Sequence, residues 1–117
     1  MGFILTINSS SSGSGVNNFL EKYDLKKYFV EVMTREVCKS KAEKFNLILN
    51  KFKIKASQAV MVTNTVGDVK EAREIGIKSI GTSWGVYEPE RLIKNGVDFM
   101  ASEPKDILKG IEKILIV

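Results

Sequence analysis

Short apolar runs alternate along this chain with segments whose apolar residues recur at helical spacing. Continuous runs predict buried strands, whereas recurrence every three or four residues predicts a helix with one buried face. The clearest helical stripe lies in residues 41–52, where Phe45, Ile48, Leu49 and Phe52 share one face. The alternation predicts a mostly parallel sheet covered by helices on both faces.

The predicted elements follow one another along the chain with only short connections. Strands are expected at residues 2–7, 28–34, 58–64, 77–81 and 97–100. Helices are expected at residues 16–24, 41–52, 69–76, 88–96 and 102–117. Gly76 follows one predicted helix and Gly96 follows another, as is common for the residue that ends a helix. Residues 113–117, KILIV, could instead form a parallel strand, although their apolar register favours the end of the last helix.

The serine- and glycine-rich run at residues 9–15 is the one low-complexity segment. It is interpreted as a mobile loop, as a loop that contacts phosphate, or as residues that replaced a native connection. The mobile loop is the simplest interpretation.

Composition narrows the class of protein and the chemistry open to it. The 117 residues, 44% of them hydrophobic, suit one soluble domain spanning residues 1–117. The 18 basic and 14 acidic residues give a net charge of +4, but the lysines are spread along the chain. We therefore expect no nucleic-acid partner, and the apolar runs are too short for a membrane span. A single cysteine, Cys38, indicates a reducing cytoplasmic setting.

The chain contains no histidine, which excludes imidazole-dependent nucleophiles and histidine-bound zinc. Polar residues instead follow the predicted strands, at Thr6 to Ser10, Thr63 to Asp68 and Gly81 to Trp84. In a parallel sheet these three loops would meet at the carboxyl edge, where ligands usually bind. For Asp68 the alternative is an ordinary helix N-cap.

In order and spacing these segments resemble the haloacid dehalogenase-like superfamily, in its phosphoglycolate-phosphatase-like branch. Residues 58–108 resemble the fourth motif of that branch and its closing strands and helices. GFILTINSS resembles the second-motif strand, and KSKAEKFNLIL resembles the lysine-bearing third motif, with Ala42 where that branch usually has proline. The resemblance implies a three-layer, Rossmann-like core domain without a cap domain.

Roles for individual residues are implied by the same resemblance. Thr6, with Asn8 and Ser9 beside it, would bind phosphoryl oxygens, and Lys41 would offset their charge. Asp68 would hold or support Mg²⁺, with Asn64 standing where the family has a metal-binding aspartate. The implied ligand is phosphate or a phosphorylated small molecule.

The chain lacks one residue that the resemblance would require, because the family uses an aspartate nucleophile at the end of a central first strand. This chain has aspartate only at positions 24, 68, 98 and 106. Aligning GFILTINSS with the first motif instead would place Thr6 and Asn8 where both acids belong, so the nucleophile is missing under either alignment. No catalytic residue is assigned, and we expect weakened Mg²⁺ binding and no independent turnover.

The missing first strand leaves a position in the family's sheet to be filled or closed. KILIV, a strand from a second subunit in a homodimer, or a complementing chain that carries the nucleophile could occupy it, because unpaired strand edges invite pairing. The sequence therefore predicts a degenerate phosphatase-like domain that keeps an anion pocket. The alternatives are an interaction or oligomerisation module and one half of a split phosphatase.

Overall fold

The computed structural model describes residues 3–9, 11–36, 40–84 and 88–115. Its contacts divide the chain into two compact units, Met1–Phe52 and Lys53–Val117. Both units are α/β structures with parallel strands, which confirms the predicted fold class. The single-domain organisation over residues 1–117 stays a prediction.

The first unit contains a two-stranded parallel sheet and two helices. Its elements are β1 (Thr6–Asn8), α1 (Gly13–Lys22), a 3-10 turn (Lys26–Tyr28), β2 (Glu31–Met33) and α2 (Lys41–Phe52). Thr6 pairs with Glu31 and Asn8 with Met33. The boundaries of α2 match the predicted helix, and Phe45 on its apolar stripe is buried.

The first strand is shorter than predicted, and the apolar residues before it are exposed. Phe3, Ile4 and Leu5 have exposed fractions of 37%, 48% and 46%. The backbone continues the pairing with β2 for one more hydrogen bond, from Val30 N–H to the Leu5 carbonyl at 3.0 Å. Among the described residues β1 has β2 as its only strand neighbour, so these side chains are not covered. The predicted strand over residues 2–7 is confirmed at Thr6 and Ile7, whereas the expected burial of residues 3–5 is wrong.

The serine- and glycine-rich run begins α1 instead of forming a loop throughout. The helix starts at Gly13, three residues before the predicted start, because Ser12 acts as its N-cap. The Ser12 hydroxyl accepts a hydrogen bond from Gly15 N–H at 3.2 Å. A serine cap satisfies a donor of the first turn that lacks a partner within the helix, and this offsets the low helix propensity of glycine.

The second unit contains a three-stranded parallel sheet in the order β3-β4-β5. Its elements are β3 (Val60–Thr63), α3 (Val66–Glu74), β4 (Lys78–Thr82), α4 (Glu90–Lys94), β5 (Phe99–Ala101) and α5 (Asp106–Leu115). Val69, Ala72, Ile80, Leu92 and Ala101 form its buried core. The alternation of strand and helix predicted from residue 58 onward is confirmed.

Two predictions about helix ends are settled in this unit. Gly76 and Gly96 have φ angles of +80° and +92°, the left-handed conformation expected after a helix. The helix α5 continues to Leu115, so residues 113–115 do not form the alternative strand. None of the helices in the four described segments has both the length and the apolar character needed to cross a bilayer.

Two glycines within the helices of the second unit provide a matched test of its packing. A Cβ added to Gly110 in α5 would lie 2.7 Å from Phe99 Cδ1 and 2.9 Å from Ile80 Cδ1. A Cβ added to Gly67 in α3 would meet no heavy atom within 4 Å. Alanine favours a helix by about 0.8–1 kcal/mol over glycine, whereas overpacking a core costs about 1–3 kcal/mol.

We therefore expect Gly110→Ala to lower the free energy of unfolding by about 1–2 kcal/mol and Gly67→Ala to raise it by up to about 1 kcal/mol. Urea unfolding of both variants and the wild type measures the difference. Equal stabilisation by the two substitutions would contradict the packing of α5 against β4 and β5.

Candidate functional site

The carboxyl end of β1 lies against the first turn of α2. Asn8 Nδ2 donates a hydrogen bond to the Lys41 carbonyl at 3.1 Å. This bond fixes the orientation of the amide, and Asn8 Oδ1 is buried without a hydrogen-bond partner in the described structure. A buried acceptor without a donor is costly, so an orphan atom of this kind points to a ligand or to a functional constraint.

Lys44, which was not among the predicted site residues, is the buried cation of this region. Its side chain is 0% exposed, and Nζ donates a hydrogen bond to the Ser9 carbonyl at 2.7 Å. No carboxylate of the described residues pairs with this ammonium group. Because an ammonium group has three donors, one backbone carbonyl leaves most of its charge and hydrogen-bonding capacity uncompensated.

The predicted phosphate-binding residues lie at different distances along the chain from the junction of β1 and α2. Asn8, Ser9 and the backbone of Lys41 come together there. Thr6 is the first residue of β1, two positions before its carboxyl end, and alternation puts its side chain on the same sheet face as Asn8. A weak sequence signal for Lys44 existed, because it lies one turn before Ile48, at the border of the apolar stripe.

Glu36 is a second functional feature that sequence reasoning missed. Both of its carboxylate oxygens lie 2.9 Å from Gly13 N, and the Thr34 hydroxyl donates to Oε2 at 2.7 Å. The Thr34 hydroxyl, followed by Gly13 N–H, lowers the pKa of the Glu36 carboxyl from 4.5 to about 2. Glu36 thus anchors the start of α1 to the segment after β2 and places a negative charge where the helix dipole favours one.

The loop after β3, in the second unit, is organised around a buried carboxylate. Thr63 donates its hydroxyl proton to Asp68 Oδ2 at 2.6 Å, and Asp68 is only 8% exposed. The Thr63 hydroxyl also accepts from Thr65 N–H at 3.1 Å. The N-cap of α3 is Thr65, whose side chain accepts from Asp68 N–H at 3.2 Å, so the alternative interpretation of Asp68 as the N-cap is wrong.

The two predicted magnesium ligands have different surroundings. Asp68 faces inward toward Thr63, whereas Asn64 is exposed. Within the described segments no group of three or more histidine, cysteine, aspartate or glutamate side chains could hold a metal ion. Magnesium in proteins relies on carboxylate oxygens held near the ion, and Asp68 supplies the one carboxylate of this pair. Magnesium binding by Asp68 and Asn64 stays a prediction.

Comparison with known proteins identifies the class to which this fold and site belong. The family model described as haloacid dehalogenase-like hydrolase matches residues 1–82. This match covers more than half of the chain, so the protein belongs to the haloacid dehalogenase-like hydrolase family. The family resemblance inferred from the sequence is thereby confirmed.

The curated relatives that resemble this chain are phosphatases. The chain is 26% identical over 113 residues to the phosphoglycolate phosphatase of Vibrio parahaemolyticus, covering 94% of this chain and 50% of the relative. It is 22% identical over 111 residues to the phosphoglycolate phosphatase of Synechococcus elongatus, covering 95% of this chain and 52% of the relative. The chain thus spans about half the length of the curated relatives it matches.

Solved structures share the fold at low sequence identity. A protein from Haemophilus somnus described as a predicted phosphoglycolate phosphatase superposes with a TM-score of 0.85 at 20% identity, over 92% of this chain and 49% of its own. A haloacid dehalogenase-like family hydrolase from Streptococcus pneumoniae superposes with a TM-score of 0.81 at 22% identity, over 92% of this chain and 51% of its own. These similarities support the fold assignment.

The depressed pKa of Glu36 predicts how acid affects stability. A carboxyl whose pKa falls from 4.5 to about 2 on folding contributes stability that is complete above pH 4.5 and is lost as the pH drops toward 2. Glu36→Gln keeps an acceptor for Gly13 N–H and the Thr34 hydroxyl but cannot titrate. We expect its urea midpoint to fall less than that of the wild type between pH 5 and about 2.5.

Glu43→Gln, which changes an exposed carboxylate of α2, is the matched control and should follow the wild type. Parallel pH profiles for Glu36→Gln and the wild type would contradict the assignment of Glu36 as an anchor.

Proposed function

We propose that this chain is a phosphatase-related domain that binds phosphate or a phosphorylated small molecule between the end of β1 and the start of α2, and does not hydrolyse it alone. The observation that supports this proposal is the buried Lys44 ammonium, which pairs with no carboxylate of the described residues. A phosphoryl group would supply the missing negative charge. The site comprises Thr6, Asn8, Ser9 and Lys41, as the sequence predicts, together with Lys44.

Burial removes water from the Lys44 ammonium group, and a bound anion would compensate for this loss. An ammonium group inside a protein loses its hydration, and a single backbone carbonyl replaces only part of it. A bound anion restores the charge balance, and hydrogen bonds to a charged group contribute about 1.5–3 kcal/mol each. The phosphoglycolate phosphatases among the relatives act on a phosphorylated small molecule, which supports phosphate as the anion.

The absence of independent turnover is inferred from where the aspartates lie. Asp24 pairs with Lys27, and Asp68 accepts from Thr63. Asp98 accepts from Ser79 N–H and Asp106 from Ser102 N–H, so each carboxylate has a local structural role. None of them follows β1, and neither an amide nor a hydroxyl without a base replaces a carboxylate nucleophile.

The lone Cys38, which lies outside the described residues, is in keeping with a reducing cytoplasm.

Thermal unfolding with and without inorganic phosphate tests the proposal. At a phosphate concentration about ten times the Kd, the wild type should gain about 1.4 kcal/mol. Lys44→Met should lose this response. Without phosphate it should be at least as stable as the wild type, because a buried unpaired charge is replaced by an apolar side chain of similar length.

Lys70→Met, which changes an exposed lysine of α3, is the control and should keep the phosphate response. Lys41→Met tests the lysine that the sequence predicts and separates its contribution from that of Lys44. No stabilisation of the wild type by millimolar phosphate, or an undiminished response in Lys44→Met, would refute the proposal.

A second candidate function is interaction through the open edge of β1, with either a complementing chain or a second copy of this one. The exposed residues Phe3, Ile4 and Leu5 favour it, because parallel sheets are normally covered and two strands alone are marginal. An extended partner strand would pair with this edge and cover these side chains.

Sedimentation combined with mixing distinguishes the two partners. We expect the chain to bind the half of the Vibrio parahaemolyticus phosphatase that it does not match, or to sediment as a dimer, and Leu5→Lys should weaken either complex. Hydrolysis of p-nitrophenyl phosphate only in the mixture would support a split phosphatase. A monomer at high concentration that binds no such half would exclude this function.

A further inference from the structure

We propose that the carbonyl oxygen of Asn8 makes the anion site selective for an anion that carries its own hydrogen-bond donor. The favoured ligand is then one that keeps a P–OH group, which is inorganic phosphate or the monoanion of a phosphomonoester, and fully deprotonated sulfate is disfavoured. This inference rests on the proposed function and adds the protonation state of the ligand to it.

The two halves of the Asn8 amide have different surroundings. Nδ2 donates to the Lys41 carbonyl at 3.1 Å, which fixes the amide plane and determines the direction of the opposite oxygen. Oδ1 is buried and has no hydrogen-bond partner among the described residues. Since an amide oxygen only accepts, a ligand satisfies it only by donating a proton.

Lys44 and Asn8 both make their hydrogen bonds at the junction of β1 and α2. Asn8 precedes Ser9, whose carbonyl accepts from Lys44 Nζ at 2.7 Å. The Asn8 amide and Lys44 both engage the start of α2, since Lys44 N–H bonds the Ser40 carbonyl at 3.3 Å and Asn8 bonds the Lys41 carbonyl. A cation and an acceptor-only atom are therefore held at the same junction of strand and helix.

This pair of groups suits a hydrogen phosphate better than a bare oxyanion. The ammonium of Lys44 binds a charged oxygen, and the Asn8 carbonyl accepts the P–OH proton. A ligand without that proton turns an oxygen lone pair toward Oδ1 and leaves the buried acceptor unsatisfied. Sites built for a hydrogen bond reject analogues that cannot form it, here by about tenfold or more.

Other charged groups could also make anion binding depend on pH. Those on the elements packed around Asn8 are Lys41, Glu43 and Lys44 of α2, Glu31 of β2, and Glu36 after β2. Their charges act on a phosphomonoester and on sulfate alike, so the ratio of the two affinities isolates the P–OH proton of the phosphomonoester. A phosphomonoester such as methyl phosphate loses its one P–OH proton near pH ~6, whereas sulfate stays a dianion throughout.

Calorimetric titration with methyl phosphate and with sulfate, at constant ionic strength from about pH 5.5 to 8.5, tests the inference. We expect the wild type to prefer methyl phosphate by about tenfold or more at pH ~5.5 and to lose most of this preference by pH ~8.5. Asn8→Leu keeps the approximate volume but removes the acceptor. It should bind both anions through Lys44 with a ratio close to one at every pH.

Failure of this inference and failure of the proposed function give different results. A wild type that binds both anions with a ratio independent of pH refutes the Asn8 role and leaves the anion site standing. A wild type that binds neither anion refutes both. The wild-type comparison requires no variant, so a misfolded Asn8→Leu protein would not prevent either result.

Discussion

The contact between Lys44 and the Ser9 carbonyl is the constraint on which the rest of the first unit depends. It joins the first turn of α2 to the residue after β1, and the Lys44 side chain is fully buried. A buried charge without a counter-ion reduces stability, so its presence calls for a compensating interaction. Lys44, Asn8 and Ser9 are brought together by this one junction.

Among the described residues, the edge of β1 opposite β2 has no strand partner, and the apolar side chains that precede β1 are exposed. The two-stranded parallel sheet has one described neighbour for each strand, and three consecutive apolar residues before β1 face solvent. The relatives are about twice as long as the region that this chain matches. Anion binding and strand pairing are not exclusive, since a strand added to β1 would end near the same carboxyl edge.

Local sequence signals were sufficient to predict most of the helices and strands. The helix over residues 41–52 and the strand–helix alternation from residue 58 follow from apolar periodicity, and Gly76 and Gly96 mark helix ends because of their backbone freedom. The start of α1 has a local signal in its N-cap Ser12, but the hydrogen bond from Gly13 N–H to Glu36, 23 residues away in sequence, is a tertiary contact that this signal does not reveal. Nor could the burial of Lys44 be predicted, because it depends on the packing of α2 against β1. Local patterns thus predict elements and their side-chain caps, whereas long-range anchors and buried charges require tertiary contacts.

The phosphate-binding roles stay predictions, but their placement can be compared with the structure. Asn8 and Ser9 were predicted from their position after an apolar run and from the family resemblance, and Lys41 from the resemblance alone. The structure joins the Asn8 side chain to the Lys41 backbone. Asp68 was predicted as a metal ligand from its place in the loop after β3. Its carboxylate accepts a hydrogen bond from the Thr63 hydroxyl within the second unit, and its role as a metal ligand stays a prediction. No aspartate of the sequence follows β1, and the groups gathered at the end of that strand are an amide, a backbone carbonyl and the ammonium of Lys44.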